Sequence, residues 1–121
     1  MKVLLIGGHG LLGTAFRDAA PADVTVVAPT RRELDLTDDD AVARALDGAE
    51  PTWVVNCAAY TAVDGAEQEP DAAARVNAVA VGALGRLAAV RGVQVLQPST
   101  DYVFDGESGR PYREDDLPQP R

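Results

Sequence analysis

Short apolar runs alternate along this chain with longer segments of helical period. Val3-Leu4-Leu5-Ile6, Val24-Thr25-Val26-Val27-Ala28, Trp53-Val54-Val55-Asn56-Cys57 and Val93-Gln94-Val95-Leu96-Gln97 read as four strands. The third is a nearly continuous apolar run, the pattern of a sheet covered on both faces. Helical segments fall between them at residues 14–20, about 39–46 and about 70–90. The second opens on the acids Asp38, Asp39 and Asp40, which suit a helix N-terminus, and Gly48 and Pro51 would stop it. The third starts at Pro70, ends at Gly92, and sets Val76, Ala80, Ala83, Leu84, Leu87 and Ala88 on one stripe. Strands alternating with helices predict a parallel sheet with right-handed crossovers. We expect the strand order 3-2-1-4 with helices on both faces. Beyond Pro98 the periodicity stops, and a polar segment with Pro111, Pro118 and Pro120 follows.

The first strand runs into Gly7-Gly8-His9-Gly10-Leu11-Leu12-Gly13 and then a helix. Strand, glycine turn and helix are the opening of a Rossmann-like dinucleotide-binding unit. Here the glycines stand at 7, 10 and 13, a G-x-x-G-x-x-G spacing. Gly7 lets the strand turn sharply, Gly10 lets the backbone approach a pyrophosphate, and Gly13 lets the helix pack close. The helix N-terminus offers free N–H groups and partial positive charge to the anion. In a parallel sheet all carboxyl ends share one edge, so Gly10, residues 56–61 and residues 99–101 are expected to converge on one crevice.

Length and composition narrow the classes. At 121 residues the chain is one small α/β domain, and 46% hydrophobic residues suffice for a core. A net charge of −8 argues against nucleic-acid and anionic-membrane surfaces, while leaving room for one local phosphate pocket. The single cysteine, Cys57, excludes an internal disulfide and fits a reducing compartment. No apolar run reaches membrane-spanning length. The apolar residues after Lys2 belong to the first strand rather than to a signal peptide, so a cytoplasmic protein is expected.

Arg31 and Arg32 follow the second strand, where the adenosine ribose lies in this fold. An arginine there accommodates a 2′-phosphate, so NADP is the expected cofactor. A solvated charge pair is the plainer alternative, and Asp35 at the adenine end keeps NAD open. Ala58, Ala59, Tyr60 and Thr61 follow the third strand and would lie near the cofactor, though Tyr60 reads equally well as a half-buried loop aromatic. Asn56 would satisfy backbone groups at a strand end, and Cys57 reads as a small core residue. His9 has no partner in view and is a poor candidate for metal or catalysis. Asn77 reads as structural, bridging its helix to the loop after the fourth strand. Thr100 and Asp101 follow that strand, where a hydroxyl could polarise a substrate carbonyl during hydride transfer. From position alone a turn-forming Ser-Thr-Asp cluster is the simpler reading.

Several stretches together resemble the dTDP-4-dehydrorhamnose reductase family of the extended short-chain dehydrogenase/reductases. They are residues 7–13, Glu33-Leu34-Asp35-Leu36-Thr37-Asp38, Val55-Asn56-Cys57-Ala58-Ala59-Tyr60-Thr61-Ala62-Val63-Asp64, Glu67, Glu69 and Pro70. The most specific is Ser99-Thr100-Asp101-Tyr102-Val103-Phe104-Asp105-Gly106, followed by Pro111-Tyr112-Arg113-Glu114. The resemblance implies that Gly10, Leu11 and Leu12 form the turn on the cofactor pyrophosphate. It implies adenine-side contacts at Asp35 and Leu36 and further cofactor contacts at Ala59, Tyr60 and Thr61. Thr100 would be the hydroxyl member of the catalytic triad and, with Asp101, would touch the sugar. The implied reaction is NAD(P)H-dependent reduction of the 4-keto group of dTDP-4-dehydro-L-rhamnose to dTDP-L-rhamnose. The implied partner is a nucleotide-sugar, with a homo-oligomer as one arrangement.

One departure bears on activity. The family's proton-donating tyrosine and its lysine form a Tyr-x-x-x-Lys pair on a later helix. None of Tyr60, Tyr102 and Tyr112 has a lysine four residues on, and the only lysine is Lys2. The expectation is therefore an N-terminal cofactor-binding part of the family, without the catalytic helix and the sugar-nucleotide domain, inactive alone. Two alternatives stay open: a non-catalytic regulatory subunit resembling the methionine adenosyltransferase beta subunit, which has a similar Asp-Tyr-Val-Phe-Asp-Gly stretch, and an inert truncated product.

Overall fold

Four parallel strands form one sheet: β1 (Lys2–Ile6), β2 (Thr25–Val27), β3 (Trp53–Asn56) and β4 (Gln94–Leu96). The structure, a computed structural model, describes residues 1–120. Register runs straight across, with Leu4 beside Val27 and Val54, and Val54 beside Val95. The four-stranded parallel α/β layer and all four strands fall where the apolar runs predict them.

The strand order is β2-β1-β3-β4, not 3-2-1-4. The chain leaves β2, crosses β1 and lays β3 on β1's free side. Crossover handedness accounts for it. The sheet face bearing Leu4, Ile6 and Val54 packs against α2 (Asp39–Ala49) and α5 (Ala80–Ala89), through Val42, Leu46, Ala80 and Leu84. Leu5 and Val55 alternate onto the other face, the side of α1 (Leu11–Asp18). Right-handed crossovers on opposite faces step in opposite directions along the sheet. With α1 carrying the chain from β1 to β2, α2 must carry it back past β1. Leu34 and Leu36, where another strand beside β2 would lie, instead bury into the core at 4% and 5% exposure. Each such buried Leu or Val contributes about 1.5–3 kcal/mol by leaving water.

Helix boundaries shift for local reasons. α1 begins at Leu11, three residues before expectation, because Gly13 lies inside the helix rather than in the turn. α2 starts as read, with the Asp38 carboxylate accepting from the Ala41 N–H at 2.9 Å. It runs through Gly48, and Glu50 closes it in the left-handed region at φ 45°, ahead of Pro51. The long third helix is in three pieces. These are α4 (Pro70–Ala74), a π turn (Arg75–Val79) and α5, whose Ala80, Ala83, Leu84 and Ala88 are buried as the stripe predicts. A short helix, α3 (Val63–Gln68), occupies part of the expected loop; it buries no residue, so it has no apolar stripe to betray it.

The polar segment after β4 is folded on itself. A 3₁₀ turn (Asp101–Val103) leads to Phe104, whose ring stacks on Tyr112 at 4.2 Å between centroids and 5° between planes. The Tyr112 hydroxyl donates to Asp105 Oδ1 at 2.8 Å, and Arg110 forks onto both oxygens of Asp116.

Candidate functional site

Because the strands are parallel, the loops that follow them line one edge of the sheet. Across that edge come Arg31 after β2, the glycine turn after β1, residues 57–61 after β3 and residues 97–101 after β4. At the usual strand spacing the row spans about 14 Å from β2 to β4. The expected convergence of Gly10, residues 56–61 and residues 99–101 is thus an array along one edge.

Within the glycine turn the residues do different work. Gly7 has φ 74°, and a Cβ there would stand 2.5 Å from the Ala58 backbone nitrogen. Gly13 is tighter still, since its Cβ would meet the Gly7 carbonyl oxygen at 2.2 Å. Gly8, which carried no expectation, would push a Cβ to 2.9 Å from the Ala28 side chain. Gly10 differs: its backbone is ordinary, φ −80° and ψ 179°, and a Cβ would meet only the Gly7 oxygen at 3.5 Å. Gly10 is also the residue preceding α1, with no side-chain cap on the helix. Its N–H donates to the Gly7 oxygen at 3.1 Å, and the Thr14 N–H returns to the Gly10 oxygen at 2.9 Å. Leu11 and Leu12, in the first turn, lie exposed at 96% and 46%.

His9 has a partner that sequence did not reveal. Its Nε2 lies 3.2 Å from the Ala28 carbonyl oxygen, and Arg17 Nη1 lies 3.3 Å from its Nδ1. Both contacts are met by a neutral ring with its proton on Nε2, donating to Ala28 and accepting from Arg17. His9 thereby ties the glycine turn to the end of β2. That is a structural task.

On the β2 side, Asp35 Oδ1 accepts from both the Thr37 N–H (2.9 Å) and the Thr37 hydroxyl (2.8 Å). Those hydrogen bonds, backbone first, hold its carboxyl below the usual range against some opposing burial. Glu33 is lowered in the same way by the Thr30 N–H and hydroxyl. Leu36 is buried in the core, so its side chain does not face the edge.

The loop after β3 is held from both sides. Asn56, 1% exposed, donates from Nδ2 to Gln97 Oε1 at 2.7 Å and accepts the Ala58 N–H at 3.1 Å. It satisfies the strand end as expected and also locks the end of β3 to that of β4. Asn77 grips the Tyr60 backbone; the expected bridge to the loop after β4 is instead a bridge to the loop after β3. A side chain on the third helical segment reaches the loop that packs beside it, and in this strand order that loop follows β3. Tyr60 is half-buried, and its hydroxyl donates to Glu69 Oε2 at 3.0 Å. That bond raises the Tyr60 pKa above the ordinary tyrosine value, the opposite of what a proton donor needs. Ala59 and Thr61 are exposed. Cys57 is half-buried, and burial pushes its thiol up.

Thr100 caps the 3₁₀ turn. Its Oγ1 accepts the Tyr102 N–H at 3.2 Å and lies 3.3 Å from Asp101 Oδ1, to which it donates. The turn-forming reading of this cluster is therefore realised, and both side chains remain exposed at the carboxyl end of β4. An open groove of about 530 Å³ lies between the loop after β2 and the segment after β3, lined among others by Arg31, Thr37, Tyr60, Glu69 and Arg75. Arg75 carried no expectation, because a lone arginine on a helix gives no signal of what it faces. Among the described residues there is no group of side chains suited to a metal ion, and no helix is long and apolar enough to cross a membrane.

A dinucleotide fits this edge on the structure's own terms. The α1 N-terminus has no side-chain cap, and Gly10 leaves beside it a space that no internal contact requires.

Known proteins agree with this architecture. The chain is 46% identical over 121 residues to the dTDP-4-dehydrorhamnose reductase of Streptomyces griseus, an alignment covering 98% of this chain and 39% of that protein. It is 36% identical to the methionine adenosyltransferase 2 subunit beta of Pongo abelii, over 98% of this chain and 38% of that one. The crystal structure of dTDP-4-dehydrorhamnose reductase from Bacillus anthracis in complex with NADP superposes with a TM-score of 0.94 at 30% identity. That superposition covers 98% of this chain and 43% of the other. The chain thus spans about two fifths of the length of the curated relatives it matches. The family model described as RmlD substrate binding domain matches residues 1–121, and with the fold and the sequence resemblance in agreement, the chain belongs to that family.

Proposed function

We propose that residues 1–121 form the dinucleotide-holding part of a sugar-nucleotide reductase, with NADP(H) as cofactor and dTDP-4-dehydro-L-rhamnose as the ketone. Gly10 carries the proposal. Nothing inside the chain requires glycine there, yet it leaves open the space before a helix N-terminus. Gly7 and Gly13 shape the turn, Gly10 lets it approach the pyrophosphate with its own N–H kept on the Gly7 oxygen, and the free amides of Leu11 and Leu12 face the phosphates. Arg31 takes the 2′-phosphate. Asp35 and Leu36 lie on the adenine side, Leu36 through its backbone because its side chain is buried. Ala59, Tyr60 and Thr61 form the wall after β3. Thr100 hydrogen-bonds the substrate carbonyl once its hydroxyl leaves Asp101, and Asp101 then orients the sugar. The nicotinamide, when bound, supplies hydride to the ketone.

A ketone reduction also needs a proton. Tyr60 already donates to Glu69, Tyr112 already donates to Asp105, Tyr102 stands exposed without a lysine four residues on, and no Tyr-x-x-x-Lys pair occurs in the chain. The chain alone therefore holds cofactor without turnover. The likeness to the methionine adenosyltransferase beta subunit supports a second reading, a regulatory binding subunit, in which Thr100 serves only as a turn cap.

Calorimetric titration with NADPH and NADH tests the cofactor assignment. NADPH should bind more tightly, and Arg31→Ala should remove most of the difference. Equal affinities, or no binding of either, would overturn it. The chain mixed with the ketone and NADPH should show no turnover above background; measurable reduction would refute the claim of a missing proton donor. Tight binding to a methionine adenosyltransferase catalytic subunit would favour the second reading.

A further inference from the structure

Of the nine described arginines three are bonded through their side chains, and six, Arg31, Arg32, Arg44, Arg75, Arg86 and Arg113, are not. Arg91 is paired with Asp47, Arg110 with Asp116, and Arg17 is bonded to the Gly8 oxygen and His9. Arg31 and Arg75 line the same open groove. Among the described residues neither of these two guanidinium groups makes a hydrogen bond or an ion pair, although the chain carries 19 acidic residues against 11 basic ones. Asp71 stands four positions before Arg75, a spacing that favours ion pairs on a helix, yet the two do not pair. The other acid of the groove, Glu69, is taken up by the Tyr60 hydroxyl. Arg31 comes from the loop after β2, and Arg75 from the first residue of the π turn. Two guanidinium forks from separate elements, neither hydrogen-bonded and Arg31 only within electrostatic reach of Asp35, present donors that match a phosphate.

The position of the groove selects which phosphate. The pyrophosphate place is at Gly10 and the α1 N-terminus, after β1. The groove lies apart from it, between Arg31 and Thr37 after β2 and Tyr60, Glu69 and Arg75 after β3, where the adenosine half of a dinucleotide extends. We infer that Arg75 is a second specificity-determining residue, gripping the adenosine 2′-phosphate from the helix side while Arg31 grips it from the β2 side. This rests on the proposed cofactor reading and deepens it, since one arginine tolerates a 2′-phosphate whereas two make the site depend on it.

Titration of the full chain with NADP⁺, NAD⁺, 2′,5′-ADP and 5′-AMP tests the inference. Arg75→Gln should weaken NADP⁺ and 2′,5′-ADP by roughly 10- to 100-fold, the range of a lost charge-assisted hydrogen bond. NAD⁺ and 5′-AMP should stay within about twofold, and Arg75→Lys should recover part of the loss. Arg75 is exposed, so both variants should keep the parent's circular dichroism and melting temperature. If the parent prefers NADP⁺ but Arg75→Gln leaves all four affinities unchanged, or weakens all four equally, the inference fails and the cofactor reading stands. If the parent binds neither dinucleotide, both fail.

Discussion

Asn77 holds Tyr60 by its main chain alone: its Oδ1 accepts the Tyr60 N–H at 2.8 Å, and its Nδ2 donates to the Tyr60 oxygen at 3.0 Å. The side-chain amide thus pairs with one residue as a neighbouring strand would. It reaches there from the middle of the π turn, a wider turn than the α-helical pieces on either side. The loop carrying Ala59, Tyr60 and Thr61 has few other anchors, so its path depends on this pair.

Replacing the clamp separates its two bonds. Asn77→Ala should cost about 1–2 kcal/mol, less than two buried bonds would because the site is exposed. Asn77→Asp keeps the bond from the Tyr60 N–H, loses the one to its oxygen, and should fall between. NADPH affinity should drop in the same order. Urea denaturation and calorimetry read both effects, and an Asn77→Ala chain matching the parent in both would show that the clamp does not position the loop.

Gly13 and Gly10 predict opposite outcomes for the same substitution. Gly13→Ala drives a Cβ into the Gly7 carbonyl, 2.2 Å away with backbone on both sides, and should destabilise the chain by more than about 2 kcal/mol or prevent folding. Gly10→Ala meets only one atom, at 3.5 Å, and should leave the thermal midpoint within a few degrees while cutting NADPH affinity at least about tenfold. Unchanged NADPH affinity in a folded Gly10→Ala chain would remove the main support for a pyrophosphate there.

Acid should weaken the turn beneath the groove. The Asp35 carboxyl is lowered by the Thr37 N–H and hydroxyl. A group depressed in the folded state adds stability that is present above its unfolded pKa, about 3.9 for aspartate, and lost as pH falls through its lower folded value. Glu33, Asp47 and Asp116 are lowered too and act with the same sign. Asp35→Asn should therefore make the loss of stability below about pH 4 shallower than in the parent. Denaturant midpoints between pH 2 and 6 would show it, and parallel curves for the two chains would argue against the Thr37 bonds as its source.

The strands were legible because β1 and β3 are buried on both faces and spell out as continuous apolar runs. The strand order was not, because it depends on which face α2 covers. That choice is made by contacts of Val42 and Leu46 with Leu4 and Val54, distant in sequence, and by Leu34 and Leu36 entering the core instead of pairing with β2. The glycine spacing announced the turn and the separate tasks of Gly7, Gly10 and Gly13, but not the atoms that enforce them, which are the Ala58 backbone at Gly7 and the Gly7 oxygen at Gly13. Asn77 reads from sequence as a bridge but to a different loop, and Arg75 escaped, for a related reason: a π turn has no periodic signature, and it changes where both side chains emerge.

That turn also ties two features that look independent. An α-helix advances about 100° per residue, so deleting one residue between 75 and 79 would leave a plain helix in which everything beyond is rotated by that amount relative to everything before. With Asn77 kept on Tyr60, Ala80 and Leu84 would swing off the core; with those two kept in place, the amide would swing off the loop. The number of residues from Asn77 to Leu84 is thus set by two constraints at once. Single-residue deletions here should be far less tolerated than at other exposed helical positions, whatever residue types fill the gap.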